Sequence, residues 1–149
     1  MAGVLTDEEL VARYPGEGID HDNKDRYRGW LEHRLLFNRC RDCEKWHDPP
    51  KPICPSCWSP NVLATEVAGT GTIFMCLFLH QGPPIEGVDY STPHPVVTVE
   101  LDEGVRFSST VIDAEREQFT FGARVTLDWI ERGGSPLPVF RIAAEPGAS

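Results

Sequence analysis

Beyond Lys51 the chain contains no lysine. Residues 61–149 carry five arginines, Arg106, Arg116, Arg124, Arg132 and Arg141, set singly along the chain against twelve Asp and Glu. A polyanion is gripped by clustered cations that displace its counterions, so this half is not expected to bind nucleic acid. No apolar run approaches the roughly 20 residues of a membrane span. The acidic stretch from Met1 to Leu10 lacks the apolar core of a secretory leader, so a cytoplasmic protein without a membrane segment is expected. A nucleophile elbow, a phosphate-cradling glycine loop and a second set of metal ligands are also missing. His80, Asp89, Tyr90 and His94, around the long loop 81–93, are the only candidates for independent catalysis, and they form no recognisable catalytic pattern. With 13 Gly and 13 Pro among 149 residues, long helices are excluded over most of the chain.

Two short helices are expected near the start. Thr6-Asp7-Glu8-Glu9 has the form of a capping box and predicts a helix over 6–13, ended by Pro15-Gly16. A second begins near Asp22, with Tyr27, Trp30, Leu31 and Leu35 at helical spacing on one face. Asp22 and Asp25 at its start and Arg34 and Arg39 late in it suit the helix dipole.

The stretch 36–66 holds Pro49, Pro50, Pro52, Pro55 and Pro60 and little apolar material with which to fold itself. It also holds Cys40-x2-Cys43 and, ten residues on, Cys54-x2-Cys57. Each Cys-x-x-Cys can turn tightly and aim two sulfurs at one point, and two such turns supply a closed tetrahedral set of thiolates. Zinc suits that set, in a structural role because no coordination position is left open. Its binding would supply the folding free energy that the stretch lacks. Redox pairs of the same spacing usually open a helix, which the prolines oppose. Iron in a rubredoxin-like electron-transfer site uses the same ligands and stays open as an alternative. Glu44 and Trp58 stand where such turns favour glycine, so a slightly different turn or mild strain is expected there. His47 reads as a surface histidine, and Cys76, inside an apolar strand, as a small buried hydrophobe. Trp46 and Trp58 either cover the metal or anchor a partner.

From Gly69 onward the pattern is β. Strands are expected over 71–80, 95–101, 105–112, 123–131 and 139–143, with Asp102-Glu103-Gly104 as a hairpin turn, a connector over 113–121 and a loop at 133–136. Trp129 reads as core. Five strands with a connector after the third match a Greek-key barrel of the OB type. The expected division is a helical segment at 1–35, a zinc ribbon at 36–66, a barrel at 67–145 and a tail at 146–149.

Several motifs run in a distinctive order. They are Leu35-Leu36-Phe37-Asn38-Arg39-Cys40-Arg41-Asp42-Cys43, Pro49-Pro50, Pro52-x-Cys54-Pro55-x-Cys57, Gly69-x-Gly71-x-Ile73, Leu101-Asp102-Glu103-Gly104-Val105-Arg106 and Pro138-x-Phe140-Arg141. From about Tyr27 to Ile142 the chain resembles the domain-of-unknown-function-35 family, acyl-CoA-associated proteins with a rubredoxin-like zinc ribbon and an OB-fold. The resemblance implies structural zinc on Cys40, Cys43, Cys54 and Cys57 and no catalytic residue. It also implies a non-catalytic accessory subunit for a thiolase-fold or lipid-transfer-protein-type enzyme, a thiolase or steroid side-chain aldolase acting on acyl-CoA. A two-plus-two heterotetramer with possible acyl-CoA contact is the implied assembly. An OB-fold that binds nucleic acid is the remaining alternative, and the charge distribution opposes it.

Overall fold

In the computed structural model, which describes residues 5–143, the chain divides into two compact units. The first takes in the residues up to Val67 together with Gly133–Pro136, and the second Ala68–Arg132 and the residues from Leu137 on. The expected tail at 146–149 lies outside the described residues.

The first unit opens with helix α1 (Asp7–Arg13). Its capping box forms as the sequence predicts: the Glu9 amide donates to Thr6 Oγ1 at 3.2 Å and the Thr6 amide to Glu9 Oε2 at 2.8 Å. Helix α2 (Lys24–Leu31) is shorter than the sequence pattern suggests. His33 turns left-handed at φ 59°, and the Arg34 amide donates back to the Gly29 carbonyl at 2.8 Å. These bonds close the helix C-terminus, so Leu35 lies beyond α2, where its carbonyl accepts from the Val67 amide at 3.0 Å. Arg39, expected late in the helix, belongs to a strand. Arg28 joins the helices by donating to the Leu5 carbonyl and the Asp7 carboxylate, both at 2.6 Å.

Tyr14, Tyr27 and Trp30 are buried together, with ring centroids 4.6–5.6 Å apart in tilted and edge-on arrangements. Such pairs add about 0.5–1.5 kcal/mol each beyond area burial. The Tyr14 hydroxyl donates to the Pro136 carbonyl at 2.7 Å, and burial pushes its pKa up to about 12. Strands β1 (Leu36–Cys40), β2 (Trp46–His47) and β3 (Val62–Glu66) form an antiparallel sheet in the order β2-β1-β3.

The second unit is a curled five-stranded sheet in the order β6-β5-β4-β7-β8. Its strands are β4 (Thr70–Leu79), β5 (His94–Leu101), β6 (Arg106–Ser109), β7 (Arg124–Arg132) and β8 (Ser135–Ile142), and β8 starts in the Gly133–Pro136 segment. The Gly104 amide donates to the Leu101 carbonyl at 2.8 Å, making the expected hairpin turn. Strand β6 stops at Ser109 rather than reaching Ile112. The chain instead crosses to β8, where Val111 bridges Phe140 in parallel and the Ile112 amide donates to the Phe140 carbonyl at 2.9 Å. That crossing curls the sheet toward the partly closed Greek-key barrel expected from the strand pattern. A 3-10 turn, Arg116–Gln118, lies in the connector. The loop expected at 133–136 is narrower, because Gly133 and Gly134 both have positive φ, as a two-residue hairpin turn requires, and Ser135 already lies in β8. Val97, Val99, Val125, Val139 and Phe140 are fully buried, whereas Trp129 is half-buried rather than core.

An ion pair clamps the start of this sheet. Arg124 donates to both Asp102 oxygens, at 2.8 and 3.0 Å, and the Thr70 hydroxyl donates to the same carboxylate at 2.6 Å. Together they hold the Asp102 carboxyl at about 2, below its ordinary 3.8. Because the folded value is depressed, the stabilisation is complete above the unfolded value and lost as pH falls through the folded one. Both side chains are close to half exposed, so solvent screening keeps the pair's contribution small. Asp102→Asn is expected to lower the urea midpoint at neutral pH, with a deficit that shrinks as pH falls from about 4 toward about 2.

Candidate metal centre

The two cysteine turns repeat one backbone design. In the first, which joins β1 to β2, the Cys40 amide donates to the Lys45 carbonyl at 2.9 Å. In the second, the Cys54 amide donates to the Ser59 carbonyl, also five residues on, at 2.8 Å. Glu44 and Trp58, the equivalent residues, both stand at φ 65°. The strain expected at these non-glycine positions is therefore present, at about 1–2 kcal/mol for each left-handed residue. An anchoring interaction at the site has to outweigh it.

The turns bring the four sulfurs within 4.8 Å of one another. Cys40 Sγ lies 3.5 Å from Cys57 Sγ, and Cys43 Sγ lies 3.6 Å from Cys54 Sγ. A tetrahedral ion with Zn–S bonds near 2.3 Å has sulfur–sulfur edges of about 3.8 Å, so the spacing fits one metal ion and is far too wide for disulfides. Among the described residues this is the only cluster of at least three Cys, His, Asp or Glu able to hold a metal.

Amides tune the sulfurs. The Cys43 amide donates to Cys40 Sγ and the Ser56 amide to Cys54 Sγ, each at 3.4 Å. The Cys43 amide foremost, then the Asp42 amide and the Cys57 and Cys43 sulfurs, bring the Cys40 thiol down to about 6 against the cost of burial, and the Cys57 and Ser56 amides lower Cys54 against the same cost. The Ser59 amide pulls Cys57 down, but the Cys40 thiol, burial and the Cys43 and Cys54 sulfurs together push it up to about 12. Four adjacent thiolates repel one another too strongly to ionise together without a cation. The donor set thus fits a thiophilic divalent ion that neutralises them, and loading it releases protons.

Asp42 fastens the turns to each other. Its carboxylate accepts from the Ser59 hydroxyl and, at 3.3 Å, from Asn61 Nδ2, and the Ser59 hydroxyl bond is the main cause of its lowered pKa. The cysteine spacing gives no sign of this clasp. His47 departs from the surface reading: it is half-buried, and its ring nitrogens are sealed from solvent without a hydrogen-bond partner among the described residues. Trp58 is 79% exposed, so it does not cover the metal, whereas Trp46 is half-buried with the Arg39 guanidinium 5.3 Å above its ring.

Of the residues considered for catalysis, Tyr90 and His94 stand edge to face with ring centroids 6.3 Å apart. Asp89 accepts from the Ser91 amide at 2.9 Å, and the Tyr90 hydroxyl donates to the Pro83 carbonyl at 3.1 Å. Burial, and then the Arg132 charge, lower the pKa of His94. Cys76 is half-buried rather than fully buried.

Comparisons with known proteins agree with this geometry. Residues 28–62 match the model of the ChsH2 rubredoxin-like zinc ribbon domain, and residues 64–129 that of the ChsH2 C-terminal OB-fold domain. A probable enoyl-CoA hydratase alpha subunit from Thermomonospora curvata is 33% identical over 139 residues, which are 93% of this chain and 43% of that protein. The chain thus spans less than half of that relative. A DUF35 domain-containing scaffold protein from Pyrococcus furiosus is 31% identical over 96 residues, 64% of this chain and 68% of that protein. Among solved structures, a chain of the Ltp2-ChsH2(DUF35) aldolase superposes with a TM-score of 0.78 at 33% identity, covering 86% of this chain and 99% of that one.

Proposed function

From the premise that the chain belongs to the DUF35 family, with a ribbon and an OB-fold of the ChsH2 type, we propose that it is a non-catalytic accessory subunit of a thiolase-fold enzyme acting on acyl-CoA. The likeness to a chain of the Ltp2-ChsH2(DUF35) aldolase, over 99% of that chain, carries the reading. Two features support it: the Thermomonospora relative is named as a subunit of an enoyl-CoA hydratase, and the one metal-type cluster among the described residues has no open coordination position. Catalysis, whether thiolysis, condensation or retro-aldol cleavage, would belong to the partner. The partner would be a thiolase or a steroid side-chain aldolase, and a two-plus-two heterotetramer is the form we favour.

In this reading Cys40, Cys43, Cys54 and Cys57 hold one structural zinc, within a division into a helical segment at 1–35, a ribbon at 36–66, a barrel at 67–145 and a tail at 146–149. No helix among the described residues is long and apolar enough to cross a membrane, which suits the cytoplasmic setting we assign. Affinity purification of the tagged chain from its native cells, with mass spectrometry and metal analysis, tests the proposal. We expect a thiolase-fold protein in stoichiometric amount and a colourless complex with one zinc per copy of this chain. A red, iron-loaded protein recovered with a redox enzyme would replace the proposal with electron transfer.

A further inference from the structure

Strand β4 carries no charged residue from Thr70 to Leu79, and its second half is apolar on both faces. Phe74 stands at a register shift, a β-bulge between Ile73 and Met75. Beyond it, Cys76 and Phe78 share one face with Val97 and Pro95 of β5, their register partners. That face turns inward: Val97 is fully buried, and the Phe78 ring lies 5.4 Å from Phe119. Met75, Leu77 and Leu79 alternate onto the opposite face, beside Thr98, Val96 and His94. There they are 48%, 52% and 36% exposed. An antiparallel sheet commonly leaves one face to solvent, but that face is then polar; here the solvent face of β4 is apolar.

The strand's edge also lacks a backbone partner over much of its length, although Phe121 and Phe119 of the connector lie against Phe74 and Phe78. Strand β7 pairs with β4 only from Thr70 to Thr72, and Gly122 and Ala123 extend the bonding to Ile73. Past Ile73, no described residue pairs with that edge. Exposed edges are ordinarily blunted by lysine, proline or an inward-pointing charge, and Phe74 to Leu79 has none of these.

We infer that the outward face Met75-Leu77-Leu79, with the free edge of β4, is the surface on which the thiolase-fold subunit docks, and that the subunit meets it with an apolar patch rimmed by Arg or Lys. This rests on the accessory-subunit reading. Charge selects the occupant. The chain carries −9, and twelve of its acidic residues lie after residue 60. All five arginines there are already engaged within the chain: Arg106 by Glu100, Arg124 by Asp102, Arg141 by Asp113 and Asp128, Arg132 by the Glu86 carbonyl, and Arg116 over the Phe78 ring. A second copy would bring like charge against like, whereas a basic rim gains attraction and a faster encounter.

The test compares the purified thiolase-fold subunit binding to wild-type chain and to the triple variant Met75→Thr, Leu77→Thr, Leu79→Thr. Threonine keeps strand propensity while removing the apolar face, so zinc content and thermal midpoint should stay near wild type. Binding is expected to weaken about 100-fold, as when interface anchors are truncated. Equal affinities would overturn the surface and leave the accessory-subunit reading standing. If native cells yield no thiolase-fold subunit, that reading falls and this inference with it. A wild-type chain that is dimeric alone in light scattering, and monomeric as the variant, would assign the face to a second copy and overturn the occupant. Should the variant unfold, hydrogen exchange on the wild-type complex decides. The amides of 74–79 are expected to slow by about tenfold or more relative to the free chain, and unchanged rates would overturn the proposal.

Discussion

Replacing Cys54 with serine is expected to strip the metal from the chain and unfold the ribbon. Cys54 is buried, with 1% of its surface exposed, and its sulfur is one of four that meet in one cluster. Structural zinc in small modules supplies on the order of 10–16 kcal/mol of apparent binding free energy at neutral pH, all of which counts toward folding. Little else in the ribbon could replace it. Strand β2 has two residues, and the segment between the cysteine turns is rich in proline. The left-handed Glu44 and Trp58 add about 2–4 kcal/mol of opposing strain between them. Hydrogen exchange on the variant should show the β1 and β3 amides, Leu36–Cys40 and Val62–Glu66, exchanging as in an unfolded chain. A strong chelator added to the wild type should have the same effect. Retained protection after complete metal removal would show that the sheet folds on its own contacts.

Gly71→Ala is expected to cost about 3 kcal/mol, the upper end of ordinary overpacking penalties. A Cβ built on Gly71 would lie 2.9 Å from Leu101 Cα and closer still to the Glu100 carbonyl oxygen. Both are backbone atoms of the paired strand, so no rotamer change relieves the clash; β4 and β5 must separate. Gly16→Ala is the control, since a Cβ there meets nothing within 4 Å. It should be neutral, or stabilising by about 0.4–1 kcal/mol through the unfolded state. Urea unfolding followed by tryptophan fluorescence measures both. Gly69 belongs to the same motif for a related reason: it stands at φ 86° with the Leu127 side chain packed where a Cβ would sit.

The features legible in the sequence are those set by local chemistry. Thr6 and Glu9 announce the first helix because the capping box is complete within four residues. Four cysteines in two tight pairs announce the sulfur cluster because the spacing itself brings sulfurs together, and the Asp102-Glu103-Gly104 turn is local too. What stayed hidden depends on the rest of the fold. The apolar pattern through Leu35 continues past the end of α2, because Leu35 is held by Val67, 32 residues away. Strand β6 ends early because Val111 and Ile112 are drawn to Phe140. His47 looks like a surface residue until the fold encloses its ring. Periodicity marks Cys76 and Leu77 alike as strand residues, but not which faces this chain covers itself.

The Asp42 clasp has a consequence for time rather than stability. It ties the two cysteine turns together through atoms that take no part in ligation, across 17 residues to Ser59 and 19 to Asn61. A bound ion freed from one sulfur pair would stay on the other, and the clasp would keep the vacated pair near at high effective concentration. Recapture would then outpace escape, and the ion's residence would be set by how seldom both turns part together.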